Sequence, residues 1–439
     1  LTLRLKEQRR IAFLAGLQHR KAPAKGKTPF FSVCTCECPR YGRFMFDYLR
    51  PLPPDGIIAL MQQAKADERP NKVDLGVGVY KDAAGAVPVM RAVKTAEEII
   101  LGDETSKSYV GTTGRDGFNH LMLELMLGSA YDSERLAASQ AAGGSGALRL
   151  GAELIRRAAP EATVWVSTPT WANHIPLISS TGLKMDKYPY YDRETLGVDF
   201  DAMVEHLKTK TKPGDVVVLH GCCHNPTGAD LTDEQWDALV PVLTDHGLLP
   251  FIDLAYAGLG HGLERDCYGL RTVFASVPQA LVSVSCSKNF GLYKERVGVL
   301  GVLCAKPETA QIAQTQLGSI QRTLISMPPD HGAQIVERIL GNGDLKRVWM
   351  DELDEMRNRM LGLRRLLSEA LDVQGGRHIA RAVLNQNGMF STLPITKEQA
   401  QALRKDHAVY LTDSGRINVA GANASSIPGL AKALLNVLS

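Results

Sequence analysis

Ala280 to Asn289 reads ALVSVSCSKN. The first six residues, Ala280–Ser285, form a short apolar and β-branched run of strand length, and it breaks into two small residues and a lysine, Lys288. Three upstream runs have the same form: Thr163–Ser167 (TVWVS), Asp215–His220 (DVVVLH) and Leu249–Asp253 (LPFID). All are near-continuously hydrophobic rather than alternating. This predicts strands buried on both faces of a largely parallel sheet, with helices in the segments between them. The expected fold class is α/β: a large domain whose mostly parallel central sheet is flanked by helices, plus a smaller α/β domain.

Working outward, the helical segments carry their own signals. Thr232 and Gln235 have the T-x-x-Q spacing of a capping box, and Gly247 is placed to end the helix they start. Gly143-Gly144-Ser145-Gly146 precedes a helical pattern over Ala147–Ala159. A long amphipathic helix is predicted from about Leu345 to Leu371, with Val348, Met356, Met360, Leu363 and Leu367 on its apolar side. We assign it to the second, C-terminal lobe. At 439 residues the chain is too long for one ordinary core and suits two packed lobes.

Composition removes several classes of function. With 44% hydrophobic and 22% charged residues, the profile is that of a globular enzyme. The net charge of +3 is small, and residues 1–44 hold ten Lys/Arg against only Glu7 and Glu37. The remainder is mildly acidic, so no basic face is left for nucleic acid. No run of about 18 apolar residues predicts a membrane helix. The eight cysteines offer neither paired CxxC units nor a disulfide framework, and reduced thiols in a cytoplasmic protein are expected.

Residues 1–44 stand apart: basic, with Pro23, Pro29 and Pro39, and without sustained periodicity. The apolar stretch Ile11–Leu17 is too short for a signal peptide, and a mitochondrial presequence should be richer in serine than Ser32 alone. The favoured expectation takes Met45 as the start and the extension as upstream sequence behaving as a disordered tail. A mitochondrial location follows only if the extension is a genuine presequence.

The residues just beyond the predicted strands matter most. Trp171 comes after the first strand, Asn225 after the second, Asp253 ends the third and Lys288 lies past the fourth. Open parallel sheets bind ligands outside the carboxyl ends of their strands, so four chemically capable residues should meet at one edge. A lysine there can act as a Schiff-base amine if burial or a cationic neighbour lowers its pKa. Frequency alone favours a surface lysine, but the apolar strand before Lys288 argues otherwise. Ser285, Ser287 and Arg296 would make a phosphate cradle beside it. The glycine run at 143–146 would add backbone N–H groups and a helix N-terminus, a weak signal that gains value only with Lys288. Asp253 would pair with a pyridinium nitrogen, or equally with a structural arginine. Asn225, in His224-Asn225-Pro226-Thr227-Gly228, fits a plain turn as well. Arg322 and Arg416 are candidate carboxylate anchors, each such contact contributing roughly 1.5–3 kcal/mol, though either also suits a surface position.

From Met45 to the C-terminus the chain resembles the aspartate and aromatic aminotransferases of the class I family. The resemblance is carried by seven blocks in order: LGVGVYKD (Leu75–Asp82), GGSGAL (Gly143–Leu148), PTWANH (Pro169–His174), HGCCHNPTG (His220–Gly228), DLAYAG (Asp253–Gly258), SCSKNFGLYKERVG (Ser285–Gly298) and SGRINVAG (Ser414–Gly421). It implies the type I fold of transferases dependent on pyridoxal 5'-phosphate. It also implies an N-terminal arm and part of the small domain over 45–84, a large cofactor-binding domain over 85–330 and a small domain over 331–439. Lys288 would hold the cofactor and later move the proton as general base and acid. Asp253 would face the ring nitrogen, Asn225 and Tyr256 the ring hydroxyl, and Trp171 would stack on the ring. Gly144, Ser145, Ser285, Ser287 and Arg296 would hold the phosphate, joined by Tyr109 from the neighbouring subunit of a homodimer with composite active sites. Arg416 would bind the substrate α-carboxylate, the neighbour's Arg322 a side-chain carboxylate, and Gly78 would pack close to the substrate.

The implied partners are amino acids and 2-oxo acids. Val87, Ser145 and Met327 lean toward aromatic donors, whereas Val79 and Lys81 look like the aspartate type. The donor range is read as broad, tyrosine, phenylalanine and aspartate passing their amino group to 2-oxoglutarate, with a strict aspartate enzyme as the alternative. Lyase or β-decarboxylase chemistry on the same cofactor is a rival that the two arginines disfavour. A cofactor-binding sensor domain of a regulator would need a DNA-binding module, and residues 1–44 lack its two helical patterns.

Overall fold

The computed structural model describes residues 44–52 and 56–438. The expected disordered tail, including Cys34, Cys36 and Cys38, therefore lies almost wholly outside the described residues. The chain divides between Pro53 and Pro54 into two units. The described part of the first holds one 3-10 turn, Met45–Tyr48.

The second unit is built on a seven-stranded sheet. In chain order its strands are β1 (Leu136–Ala142), β2 (Thr163–Thr168), β3 (Lys184–Pro189), β4 (Val216–His220), β5 (Leu249–Leu254), β6 (Ala280–Ser285) and β7 (Val297–Leu303). They lie side by side in the order β1-β7-β6-β5-β4-β2-β3. Strands β3, β2, β4, β5 and β6 are mutually parallel, with His220 opposite Asp253 and Asp253 opposite Ser283. Strand β7 runs antiparallel to both neighbours, placing Val297 opposite Ala142 and Gly298 opposite Ser285.

The four strands read from sequence are all present, with β6 matching to the residue. Strand β4 starts one residue late because Asp215 is used otherwise: its carboxylate accepts from Thr163 N (3.0 Å) and Trp165 Nε1 (2.9 Å), tying β4 to β2. The reason for continuous hydrophobicity is visible in β4. Val217 and Leu219 enter one core, Val216 and Val218 the other, on the opposite face. Each fully buried side chain of this kind contributes roughly 1.5–3 kcal/mol, so an unpartnered polar residue on either face would be costly.

Helix α1 spans Gly56–Ala66 and α2 spans Gly143–Ala158. The latter starts four residues earlier than expected, because the glycines form its first turn instead of preceding it. A Cβ on Gly144 would lie 3.0 Å from Ser285 Cβ, so only a bare backbone fits against β6 there. The helix Asp233–Asp245 has the predicted Thr232–Gln235 capping box, and Gly247 comes after it at φ +61°. Helix α3 covers Pro307–Leu324, α4 Gly343–Val373 and α5 Arg377–Asn385. The long helix α4 serves two cores instead of one lobe. Trp349, Leu353, Met356 and Met360 pack with the sheet's main core, while Leu363, Leu367 and Leu371 join a separate cluster with Val73, Leu75, Leu403 and Leu434. Among the described residues no helix is long and apolar enough to cross a membrane.

Candidate active site

One edge of the sheet collects the ends of β1, β2, β4, β5 and β6. It also collects the beginning of β7, because that strand runs in reverse. A cavity of about 260 Å³ opens there. Lys288, Asp253, Tyr256, Asn225, Trp171 and Arg416 all line it, as do Gly78, Gly144, Ser145, Ser285, Ser287 and Arg296. Twelve of the fourteen residues proposed from sequence are thus brought together.

Lys288 sits in the loop 286–296 between β6 and β7, whose ends are closed by Cys286 N donating to Val297 O (3.0 Å). Its Nζ lies 4.8 Å from the Tyr256 ring centroid. Burial disfavours the ammonium, Asp253 opposes that effect and Arg296 adds to it, so the pKa falls from the ordinary 10.5 to about 8. The unprotonated amine should therefore become available as pH rises through about 8. In cofactor-free protein, the rate of pyridoxal phosphate capture, followed by visible absorbance, is expected to climb between pH 7 and 9 and level off above. An inflection two units higher would mean an ordinary exposed lysine.

Asp253 is 7% exposed, and its Oδ2 is 3.1 Å from His174 Nε2. Among the described residues no arginine or lysine pairs with it, so the structural-arginine alternative has no support. Burial alone would raise its pKa, but the hydrogen bond and charge of His174, joined by the charge of Lys288, outweigh that and hold it low. The carboxylate stays anionic and faces the cavity.

Behind it runs a chain of buried rings. Thr170 Oγ1 bridges His174 Nδ1 (2.8 Å) and His220 Nε2 (3.1 Å), and the His220 and His224 rings are 4.1 Å apart. Burial, with neighbouring histidines, pushes His220 far down and His224 to about 3, so both are neutral at ordinary pH. These histidines fall within the sequence blocks, yet their spacing signals no role, because the segments 170–174 and 220–224 meet only in the fold.

The first turn of α2 faces Arg296, whose backbone is left-handed at φ +56°. Its Nη1 donates to Tyr293 O (2.9 Å) and Ser287 Oγ (3.3 Å). A Cβ on Gly143 would come 2.5 Å from Arg296 Nη2, so glycine is required for the guanidinium to reach the helix N-terminus. Free N–H groups, two serine hydroxyls and a cation converge on one point: an anion cradle.

Arg416 is 6% exposed, donating from Nη2 to Gly76 O (2.8 Å) and from Nη1 to Asn225 Oδ1 (3.4 Å). Its Nε is buried without a partner, and no carboxylate among the described residues forms an ion pair with it. Asn225 is accordingly more than a turn residue, since it orients this guanidinium. The Phe390 ring lies 4.5 Å below Arg416 Cζ and meets Tyr256 edge-on at 5.8 Å. Phe390 lines the cavity and was not anticipated from sequence, nor was Ile57 of α1.

Two proposed residues lie elsewhere. Tyr109 is 93% exposed. Arg322, in the last turn of α3, is exposed beside Thr112 and Thr113 in a separate surface hollow. Within one chain neither reaches the Lys288 cavity. Of the positions weighed for donor choice, Ser145 lines it, Val87 is 46% exposed, and Lys81 is engaged with Asp74 at 3.2 Å.

Residues 70–434 match the family model of class I and II aminotransferases. The chain belongs to that family. This aminotransferase is 46% identical over 393 residues to the aromatic-amino-acid aminotransferase of Paracoccus denitrificans, a match spanning 90% of the chain and all of the relative. It is 42% identical over 397 residues to the aspartate aminotransferase of Escherichia coli K12, with the same coverage of both. A solved aromatic-amino-acid aminotransferase of Burkholderia pseudomallei, covalently bound to pyridoxal phosphate, superposes with a TM-score of 0.87 at 38% identity, over 90% of this chain and all of that one. The aminotransferase therefore shares fold and enzyme class with proteins named for either kind of donor.

Proposed function

We propose that this aminotransferase uses pyridoxal 5'-phosphate to move the amino group of aromatic L-amino acids and L-aspartate to 2-oxoglutarate, giving the 2-oxo acid and L-glutamate. The observation that carries the reading is one cavity holding a lysine amine lowered toward neutrality, a buried carboxylate, and two separate anion-seeking groups. The fit to the cofactor is chemical: the cradle at Gly144, Ser145, Ser285, Ser287 and Arg296 suits a phosphate, and anionic Asp253 suits a protonated ring nitrogen. When bound, the cofactor supplies an electron sink for the carbanion left at the donor's α-carbon.

The chain's own residues do the rest. Lys288 would hold the cofactor until the donor's amine displaces it, and its Nζ, then a free amine, would carry the proton between donor and cofactor. Asp253, kept anionic by His174, holds the ring charge in place. Trp171, Asn225 and Tyr256 line the same cavity and would hold the ring of the bound cofactor. Arg416 binds the α-carboxylate common to all donors and acceptors, with Gly78 allowing close approach.

The same reading makes the protein a homodimer. Tyr109 and Arg322 are exposed and remote from their own cavity, which suits residues completing a neighbour's site. Leu101, Ile312, Leu324 and Ile325 expose apolar surface that a partner would cover. A cytoplasmic location fits the free buried thiols of Cys222, Cys223, Cys267, Cys286 and Cys304.

The test is an absorbance spectrum of purified protein with cofactor, before and after L-tyrosine or L-aspartate. The visible band should bleach with either donor and return with 2-oxoglutarate. Bleaching with aspartate alone would reduce the reading to a strict aspartate enzyme. No visible band even with added cofactor would remove Lys288 as its holder.

A further inference from the structure

Arg364, in the middle of α4, is 1% exposed and has no acidic hydrogen-bonding partner among the described residues. Its Nε donates to Gly388 O (3.1 Å). Its Nη1 donates to Val383 O (2.8 Å) and Ser391 Oγ (2.8 Å). Its Nη2 reaches the carbonyls of Asn387 (3.1 Å), Gly388 (2.9 Å) and Phe390 (2.5 Å). A guanidinium has five N–H donors, and all are used between Val383 and Ser391, on four backbone carbonyls and one serine hydroxyl. Capping the carbonyl end of α5 would need only the bond to Val383. The others grip the turn beyond the helix, where Gly388 is left-handed at φ +67°.

That turn is joined to the cavity on two sides. Asn387 N donates to Gly228 O (2.6 Å), and Thr392 Oγ1 to Pro226 O (2.9 Å), so the turn is fastened to the loop carrying Asn225. Phe390–Thr392 is also the antiparallel partner of Arg416–Asn418, with Thr392 opposite Arg416. Between these ties the Phe390 ring supports Arg416 and closes on Gly78, where a Cβ would lie 3.0 Å from Phe390 Cζ.

We infer that Arg364 is a positioning residue for the carboxylate subsite: by caging the turn 387–391 it fixes the Phe390 ring on which the Arg416 guanidinium is set. The assignment rests on the proposed function only in taking Arg416 as the carboxylate anchor. Arg364 touches neither substrate nor cofactor, so its loss should weaken carboxylate binding without altering proton transfer at Lys288.

The experiment compares the cofactor-loaded protein with Arg364→Lys, Phe390→Leu and the double variant. Binding of 3-phenylpropionate is measured by titration calorimetry, alongside donor KM and kcat. Lysine has three donors on a flexible stem and cannot reproduce the cage. A guanidinium displaced by a fraction of an ångström should raise Kd and KM about ten- to a hundredfold, with kcat within about twofold and the visible band retained. The double variant should be no worse than the poorer single one, because both act through one ring. A Kd within twofold of the parent, a fall in kcat at unchanged KM, or additive effects would each overturn the assignment. Should Arg364→Lys fail to fold, Ser391→Ala removes one acceptor of the cage. It should raise Kd about threefold, the loss expected of a single hydrogen bond, and an unchanged Kd would again overturn the assignment. Weakened carboxylate binding in a variant whose parent transaminates no donor would sink the proposed function and leave the Arg364 assignment standing.

Discussion

Lys288→Ala should lower kcat by about 10⁴-fold, the upper range for removing a positioned general acid–base, while the cofactor-free protein stays as stable as the cofactor-free parent or gains stability. The two halves of this expectation come from the same burial. The amine is poorly solvated, which is why its pKa falls to about 8, and alanine removes a polar group that the folded state accommodates at a cost. A residue kept for packing would show the reverse: activity largely retained and melting temperature lowered. Single-turnover bleaching of the cofactor-loaded protein with L-tyrosine and thermal unfolding of the cofactor-free protein separate the two. Retention of more than a tenth of kcat would end the assignment of Lys288 as proton carrier.

Asp253→Asn should cost turnover roughly 10²- to 10³-fold. The asparagine keeps the shape but removes the charge facing both His174 and the cofactor ring. Removing one preorganised group from where charge develops typically costs about 10²- to 10³-fold in kcat. Asp266 provides the control. It is equally buried, but its carboxylate accepts from the backbone N–H groups of Gly258 (2.8 Å), Gly260 (2.9 Å) and His261 (2.7 Å). Those bonds hold a turn outside the cavity, so Asp266→Asn should lower stability and leave kcat near that of the parent. If Asp253→Asn stays within tenfold of the parent, or if the two variants behave alike, Asp253 is a structural acid.

The contrast between these two aspartates shows what could be read from sequence. Asp253 ends an apolar strand of a parallel sheet, a position where geometry alone predicts convergence with the ends of neighbouring strands. Lys288, Asn225, Trp171 and the glycines that open α2 were legible from their places at strand and helix ends. Phe390 and the His174–Thr170–His220 chain were not, because their roles arise from contacts between segments far apart in sequence. Strand β1, LAASQAA, escaped notice because alanine and serine have weak strand preference, although its position beside β7 makes it a strand. The helix α4 was placed within three residues of each end by its apolar periodicity. Its division between two cores was hidden, since periodicity reports which face is buried and not against what.

The reversed strand β7 has a consequence for how freely this chain can change length. Parallel strands are joined by long crossings over the sheet face, and residues added beyond the first turn of a crossing are absorbed away from the cavity. Lys288 and Arg296 instead share a loop whose two ends are zipped into adjacent strands, with Cys286 bonded to Val297. One added or deleted residue in that loop would change the separation of amine and guanidinium directly, with no crossing to take up the slack. Tolerance to insertion should therefore be lowest at 286–296 and high in the helical crossings, a pattern that a scan of single-residue insertions would reveal as a sharp gap in an otherwise permissive domain.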